Sequence, residues 1–169
     1  MTSLRISKEE YYLGIAREVA RRSTCFRRSI GAIIVRNDQI ISTGYVGAPR
    51  KTKDSLEHGF CLRDKLGIPH GQRYELCRSV HAEQNAIINA ARAGVSLLGG
   101  DIYIYGTSMN SGEAINAFPC FICKKMIINA GLDRIICSTA DKKFMIFRVE
   151  DWIQDWRKGD ILDDRQQYG

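Results

Sequence analysis

Four side chains in this sequence have types and spacings that suit chemistry: His81, Glu83, Cys120 and Cys123. Cys120-Phe121-Ile122-Cys123 has the C-x-x-C spacing at which two thiolates grip one metal ion from a single helical turn. Thiolate and imidazole ligands together favour zinc among the common metals. Three protein ligands, not four, leave one position open to water, which marks a catalytic site rather than a closed structural one. Zinc lowers the pKa of such a water to about 7. Glu83 stands two residues after His81. In mid-helix that offset puts two side chains on different faces. At a first turn both can reach one metal-bound water, which makes Glu83 a proton carrier rather than a fourth ligand. Two blander readings use the same residues: a buried thiol pair beside a core histidine, and a redox C-x-x-C, which would need no His-x-Glu.

These groups need elements to hold them. Glu83–Ala93 has helical periodicity, with Ala86, Ile87, Ala90 and Ala91 on one side and Gly94 as the residue that ends it. His81 falls at or just before its start. Cys120–Ala130 is a second helix, entered through Pro119 and stopped by Gly131. Both ligand groups therefore sit at helix N-termini, where unpaired N–H groups and the positive end of the dipole favour thiolate. Ser7 and Glu10 have capping-box spacing and open an earlier helix with Tyr12, Ile15, Ala16 and Val19 on one face. Ile30–Val35 and Gln39–Thr43 are β-rich runs joined by the hairpin signal Arg36-Asn37-Asp38. Asp101–Gly106, Arg134–Ser138 and Phe144–Val149 read as further strands, and 107–118 as a polar loop. Two short strand–helix–strand units close together imply parallel pairing by right-handed crossovers. The fold class expected is α/β: a mixed central sheet of about five strands, an antiparallel first hairpin, parallel later strands, and helices on both faces. The region 46–80 shows no sustained periodicity and reads as an insert, functional or with short elements of its own. A C-terminal extension from about residue 140 carries an apolar patch of Trp152, Ile153 and Trp156, read as docking or interface residues.

Composition sets the outer bounds. A chain of 169 residues argues for one domain over 1–169. Its 44% hydrophobic and 26% charged residues exclude disordered and fibrous classes. No stretch approaches the roughly 20 apolar residues of a membrane span. Met1–Arg5 leads straight into the polar Ser7–Glu10, which argues against a secretory signal and for a cytoplasmic location. Six cysteines in that setting read as metal or redox chemistry before disulfides; Cys137 reads as strand core. The net charge of +6 suits a phosphate-bearing partner without separating a nucleotide from a nucleic acid. Arg17, Arg21, Arg22, Arg27 and Arg28 form a basic run whose planar forks suit phosphate, or equally a solvated helix end with cations near its negative pole.

The string His81-Ala82-Glu83 … Pro119-Cys120-Phe121-Ile122-Cys123 matches the known H-x-E…P-C-x-x-C signature of zinc-dependent base deaminases. Beyond it, the chain resembles the deoxycytidylate (dCMP) deaminase family, including the related late-competence-operon proteins of bacteria. The matching segments are Arg22–Val35, Ser42–Arg50, Cys77–Ile87 and Pro119–Gly131, in the family's order, so the resemblance covers roughly Ile6 to Ser138. It implies the cytidine deaminase-like three-layer α-β-α fold, one catalytic zinc on His81, Cys120 and Cys123, and Glu83 as the proton carrier in converting dCMP to dUMP and ammonia, a step feeding thymidylate synthesis. It also implies a homo-oligomer, a hexamer or a dimer, activated by dCTP and inhibited by dTTP. The residues it offers for substrate or effector contact are Ala82, Tyr45, Val46, Arg50 and Arg92, and the basic run adds Arg27 and Arg28. Arg92 matches an arginine that approaches the substrate phosphate in some viral relatives. Val46 stands where the family has an asparagine that hydrogen-bonds nucleotide, so altered dCTP regulation is expected. Cys25, Cys61 and Cys77 resemble positions that hold a second, structural zinc in many bacterial members. The matching fourth cysteine is absent, and His58 or His70 can supply that ligand because zinc accepts Cys₃His. Two rival functions remain: deamination of tRNA or single-stranded DNA, which would want a basic, aromatic-rich groove, and a non-catalytic nucleotide-binding role. Aromatics of 9% and a local basic run speak against the first; the intact His81, Glu83, Cys120 and Cys123 speak against the second.

Overall fold

The structure, a computed structural model, describes residues 5–159; Met1–Leu4 and the chain from residue 160 lie outside the described residues. Helix α1 (Lys8–Ala20) opens with the expected reciprocal cap: the Glu10 N–H donates to Ser7 Oγ at 3.1 Å, and the Ser7 N–H donates to Glu10 Oε2 at 2.9 Å. Its buried face is Tyr12, Leu13, Ala16 and Ala20, so the stripe is turned slightly from the expected one, with Ile15 and Val19 at its half-buried margin. Strands β1 (Arg28–Arg36) and β2 (Gln39–Tyr45) follow as an antiparallel hairpin. Its turn residues Asn37 and Asp38 have φ of 52° and 60°, as a two-residue turn matched to strand twist requires.

After β2 come two single-turn helices, α2 (Ser55–His58) and α3 (Leu62–Lys65), and a 3₁₀ turn at Tyr74–Leu76. The long aperiodic region thus carries short elements of its own. Its two ends are tied together: Gly47 and Val80 exchange backbone hydrogen bonds of 3.2 and 2.8 Å. Helix α4 (Ala82–Ala93), β3 (Asp101–Ser108), α5 (Phe121–Asn129), β4 (Arg134–Ser138), β5 (Phe144–Arg148) and α6 (Val149–Lys158) complete the order.

The five strands form one sheet in the order β2-β1-β3-β4-β5. This corrects one expectation. Only β3 and β4 pair in parallel; β1 lies between β2 and β3 and is antiparallel to both. The crossover through α4 therefore joins strands of one direction that are not neighbours, because the hairpin partner β1 occupies the place between them. β5 closes the far edge antiparallel to β4.

Alternation along the strands splits the core into two layers. Ile33, Val35, Tyr103 and Ile136 meet Tyr12, Leu13 and Ala16 of α1 on one face. Ala32, Ile34, Ile102, Ile104 and Ile135 meet Ala86 and Ala90 of α4, Ile127 of α5 and Val149 of α6 on the other. Cys137 is fully buried in this second layer, as strand core. The result is the expected α-β-α arrangement. Among the described residues no helix is long and apolar enough to cross a membrane.

Candidate active site

Gly44 of β2 sets where α4 starts. A Cβ there would collide with the α4 backbone at Ala82 and Ala86, so only glycine lets helix and strand meet this closely. Side chains then pin the helix along the edge strand. Asn85 Nδ2 donates to the Tyr45 carbonyl at 2.8 Å, Asn89 Nδ2 to the Thr43 carbonyl at 2.7 Å, and Ser42 Oγ to the Ala86 carbonyl. His81 is the N-cap residue of α4, in extended backbone, and its N–H donates to Gln84 Oε1 at 3.2 Å. Glu83 is the second helical residue, so the first-turn geometry expected for the pair is present.

Cys120 is likewise the N-cap of α5, with Cys123 in the first turn and Pro119 fully buried just before it. The preceding loop is tied to the end of β4: the Ala117 N–H donates to the Ser138 carbonyl at 2.9 Å, and the Ala140 N–H to Asn116 Oδ1 at 2.9 Å. The C-terminal elements brace the same place. Phe118 meets Phe147 edge-on at 5.2 Å, and Trp156 stacks on Phe121 at 5.9 Å. Trp152 and Trp156, expected as docking residues, thus pack within their own chain on the flanks of the cysteine pair.

The sulfurs of Cys120 and Cys123 lie 3.4 and 3.3 Å from Nδ1 of His81, and the three candidate ligand atoms are all within 4.8 Å of one another. Hydrogen bonding from Cys123, helped by His81, draws the Cys120 thiol down to about 4. Cys123 goes the other way, well above the ordinary thiol range, through its hydrogen bond with Cys120 and through burial. The two thiols thus pull each other in opposite directions, in the place where a cation would neutralise both. For His81, burial pulls the imidazole down, but the Cys120 hydrogen bond and the Glu83 charge outweigh it and the net shift is upward. Glu83 is 5% exposed; burial raises its carboxyl, opposed by His81. This soft, buried donor set with an acid beside it fits zinc.

His81, Glu83, Ala82 and Cys120 line a cavity of about 100 Å³. Of the other expected contact residues, Val46, Arg27 and Arg28 line it too. Val46 is 7% exposed, with its N–H and carbonyl bonded to Ile30 and Thr24, so it belongs to the cavity that holds Glu83. Tyr45, Arg50 and Arg92 do not line it. Tyr45 offers its carbonyl to Asn85, Arg50 donates to Asn89 Oδ1 at 2.7 Å, and Arg92 is exposed in the last turn of α4. Sequence reasoning missed Arg63 and Tyr74, both in the aperiodic segment. Tyr74 meets His81 edge-on at 4.9 Å, and the Arg63 guanidinium lies 4.8 Å over the other ring, that of Tyr74. A buried arginine in a single-turn helix has too short a run for periodicity to announce it.

The second cysteine set behaves differently. Burial raises the Cys25 thiol, with a smaller contribution from Cys77 and Cys61, yet among the described residues the one group with ligand atoms gathered for a metal is His81, Cys120 and Cys123. His58 does not join the three thiols: its Nε2 lies 2.7 Å from Arg78 Nη1. His70 lies along the cavity, exposed.

Comparison with known proteins agrees with this geometry. The profile of the family described as "Cytidine and deoxycytidylate deaminase zinc-binding region" matches residues 6–139, and the chain belongs to that family. It is similar to the deoxycytidylate deaminase of Mycobacterium phage D29, 32% identical over 133 residues, which are 76% of this chain and 91% of that protein. It is similar to the deoxycytidylate deaminase of Schizosaccharomyces pombe, 30% identical over 136 residues, 80% of this chain but 38% of the fungal one. The chain thus spans about two fifths of the length of its fungal relatives. Among solved structures, the dCMP deaminase from the cyanophage S-TIM5 in apo form superposes with a TM-score of 0.56 at 25% identity, covering 78% of this chain and 82% of that one.

Proposed function

We propose that this chain is a zinc-dependent hydrolytic deaminase of a cytosine nucleotide, converting dCMP to dUMP and ammonia and so feeding thymidylate synthesis. The observation that carries the reading is the buried Glu83 carboxyl on the wall of a cavity that His81 and Cys120 also line, with the buried Cys123 completing a three-ligand group. Relatives named deoxycytidylate deaminase support the substrate, as does a solved cyanophage dCMP deaminase in complex with dCMP and dUMP.

His81 Nδ1 and the two cysteine sulfurs would hold the zinc, which when bound supplies Lewis-acid activation of water at neutral pH. Glu83 is the proton carrier. It accepts the proton that water gives up as oxygen adds to C4, and delivers it to the adjacent ring nitrogen, N3. It then takes the second proton, from the hydroxyl now on C4, and gives it to the exocyclic amine; the C4–N bond breaks, C4 becomes a carbonyl, and ammonia leaves. Burial raises the carboxyl of Glu83 toward the working pH, which is where a group that both takes and gives a proton is most effective. Ile30, Val46 and Phe118 present apolar surface to the cavity and keep bulk water from the ring.

The same reading includes a cytoplasmic homo-oligomer responsive to dCTP and dTTP. The test is a panel of cytosine and adenine nucleosides and nucleotides scored for ammonia release, with tRNA and single-stranded DNA as further arms. Release fastest from dCMP is the expected result. Release from the nucleic acids alone, or from nothing in the panel, overturns it.

A further inference from the structure

The segment between β2 and α4 brings a cation to the cavity that the proton chemistry does not use. Arg63 is 5% exposed and lines the same cavity as Glu83. Its Nη2 donates to the Pro69 carbonyl at 3.1 Å, while its Nε is buried without an acceptor. Arg27 is in a similar state: Nε and Nη2 are engaged by Asp64, and Nη1 is buried without an acceptor. Arg27, Arg28, Arg63 and His70 line this cavity together; burial, and then the three arginine charges against that of Asp64, push the His70 imidazole below its ordinary range.

A buried donor with no acceptor destabilises a fold unless a ligand supplies one. Guanidinium forks match oxyanions by paired N–H donors. We propose that Arg63, assisted by Arg27, reads the 5′-phosphate of the substrate and so makes this a nucleotide rather than a nucleoside site. The proposal rests on the deaminase reading above and assigns its specificity to the segment between β2 and α4. Arg92, the position expected from viral relatives, is exposed and off the cavity.

The experiment compares binding of dUMP and deoxyuridine, which differ only in the phosphate, to the zinc-loaded full chain by titration calorimetry. Turnover of dCMP is followed in parallel. The parent is expected to prefer dUMP, and Arg63→Gln to lower that preference about 10- to 100-fold. Deoxyuridine binding should change by no more than a few-fold, and zinc content should be unchanged. Because Arg63 also touches Tyr74, Arg63→Lys and Arg27→Gln serve as second variants, each expected to lower the preference by less. A parent that binds both ligands alike, an Arg63→Gln preference equal to the parent's, or a loss seen only in Arg92→Ala overturns the proposal. A phosphate preference that Arg63→Gln removes in a protein that turns over no dCMP upholds the phosphate site and sinks the reaction. Normal dCMP turnover with an unmoved preference does the reverse.

Discussion

Five thiols of this chain fall into two sets in contrasting states. Cys120 and Cys123 sit at the mouth of α5 and, with Nδ1 of His81, form a gathered ligand group in which one sulfur is held at about 4. Cys25, Cys61 and Cys77 come from loops and are only half-buried; burial raises the Cys25 thiol. The difference lies in what positions them. Two helix N-termini, locked to a sheet by Gly44, the Asn85 and Asn89 tethers and the loop ties to Ser138, fix the first set. The second set comes from Cys25 before β1 and from single-turn elements between β2 and α4, where an isolated β-bridge joins Gly47 and Val80. Regular backbone brings the ligand atoms of the first set within 4.8 Å of one another; in the second set no such group is gathered among the described residues.

The sharpest way to break the comparison is at Glu83, the buried acid beside the first set. Glu83→Gln is expected to keep zinc and fold while turnover falls about 10²- to 10⁴-fold, because an amide hydrogen-bonds but cannot carry a proton. Zinc analysis and steady-state rates on the same preparation check it. Turnover within a few-fold of the parent would mean that Glu83 is not the carrier.

Metal content tests the contrast directly. The parent should hold one zinc per chain. Cys120→Ser should lose most of it, whereas Cys61→Ser should retain it. Two zinc ions per chain, with one lost in Cys61→Ser, would show that the second set gathers around metal after all and that the contrast drawn between the sets is wrong.

How much of this was legible beforehand follows the same division. The Ser7–Glu10 cap, the Asn37-Asp38 turn, the ends of α4 and the close pairs His81–Glu83 and Cys120–Cys123 could be read from spacing, because helix and hairpin geometry turn sequence distance into space; that the two pairs belong to one site came from the deaminase signature. The place of β1 between β2 and β3 could not, since strand order is a non-local choice that neighbouring periodicity does not encode. Arg63 and Tyr74 were invisible for a related reason: they reach the cavity from single-turn elements, too short for sequence distance to say where they lie. Gly44 lies between these cases. It stood inside a segment matched by resemblance, but that a helix presses on it became clear only in three dimensions.

Gly44→Ala probes the frame beneath the first set. The added methyl meets the α4 backbone, not a flexible side-chain end, so helix or strand must shift. The expected loss is about 1–3 kcal/mol, read from the denaturant midpoint, with zinc affinity falling alongside as His81 moves. Unchanged stability would show that α4 does not depend on this contact and that some other feature fixes His81.

The smallest effect concerns the ion pair that fastens the other region. Asp64 in α3 is bound by Arg27, whose side chain is 14% exposed against 54% for Asp64. The Arg27 hydrogen bond holds the Asp64 carboxyl below its ordinary 3.8. A carboxyl depressed in the folded state contributes stability that is fully present above the unfolded pKa and is lost as pH falls through the folded one. The pair therefore supports the protein at neutral pH and fades in the acid range below 3.8. Because Asp64 is more than half exposed, water screens the pair and its contribution is at most about 1 kcal/mol. Asp64→Asn should lower the melting temperature slightly near neutrality and flatten its acid limb, with parent and variant converging as the carboxylate protonates. Parallel curves with no convergence would show that Asp64 does not hold Arg27 in solution, and that the segment is fastened chiefly by the Gly47–Val80 bridge at its base.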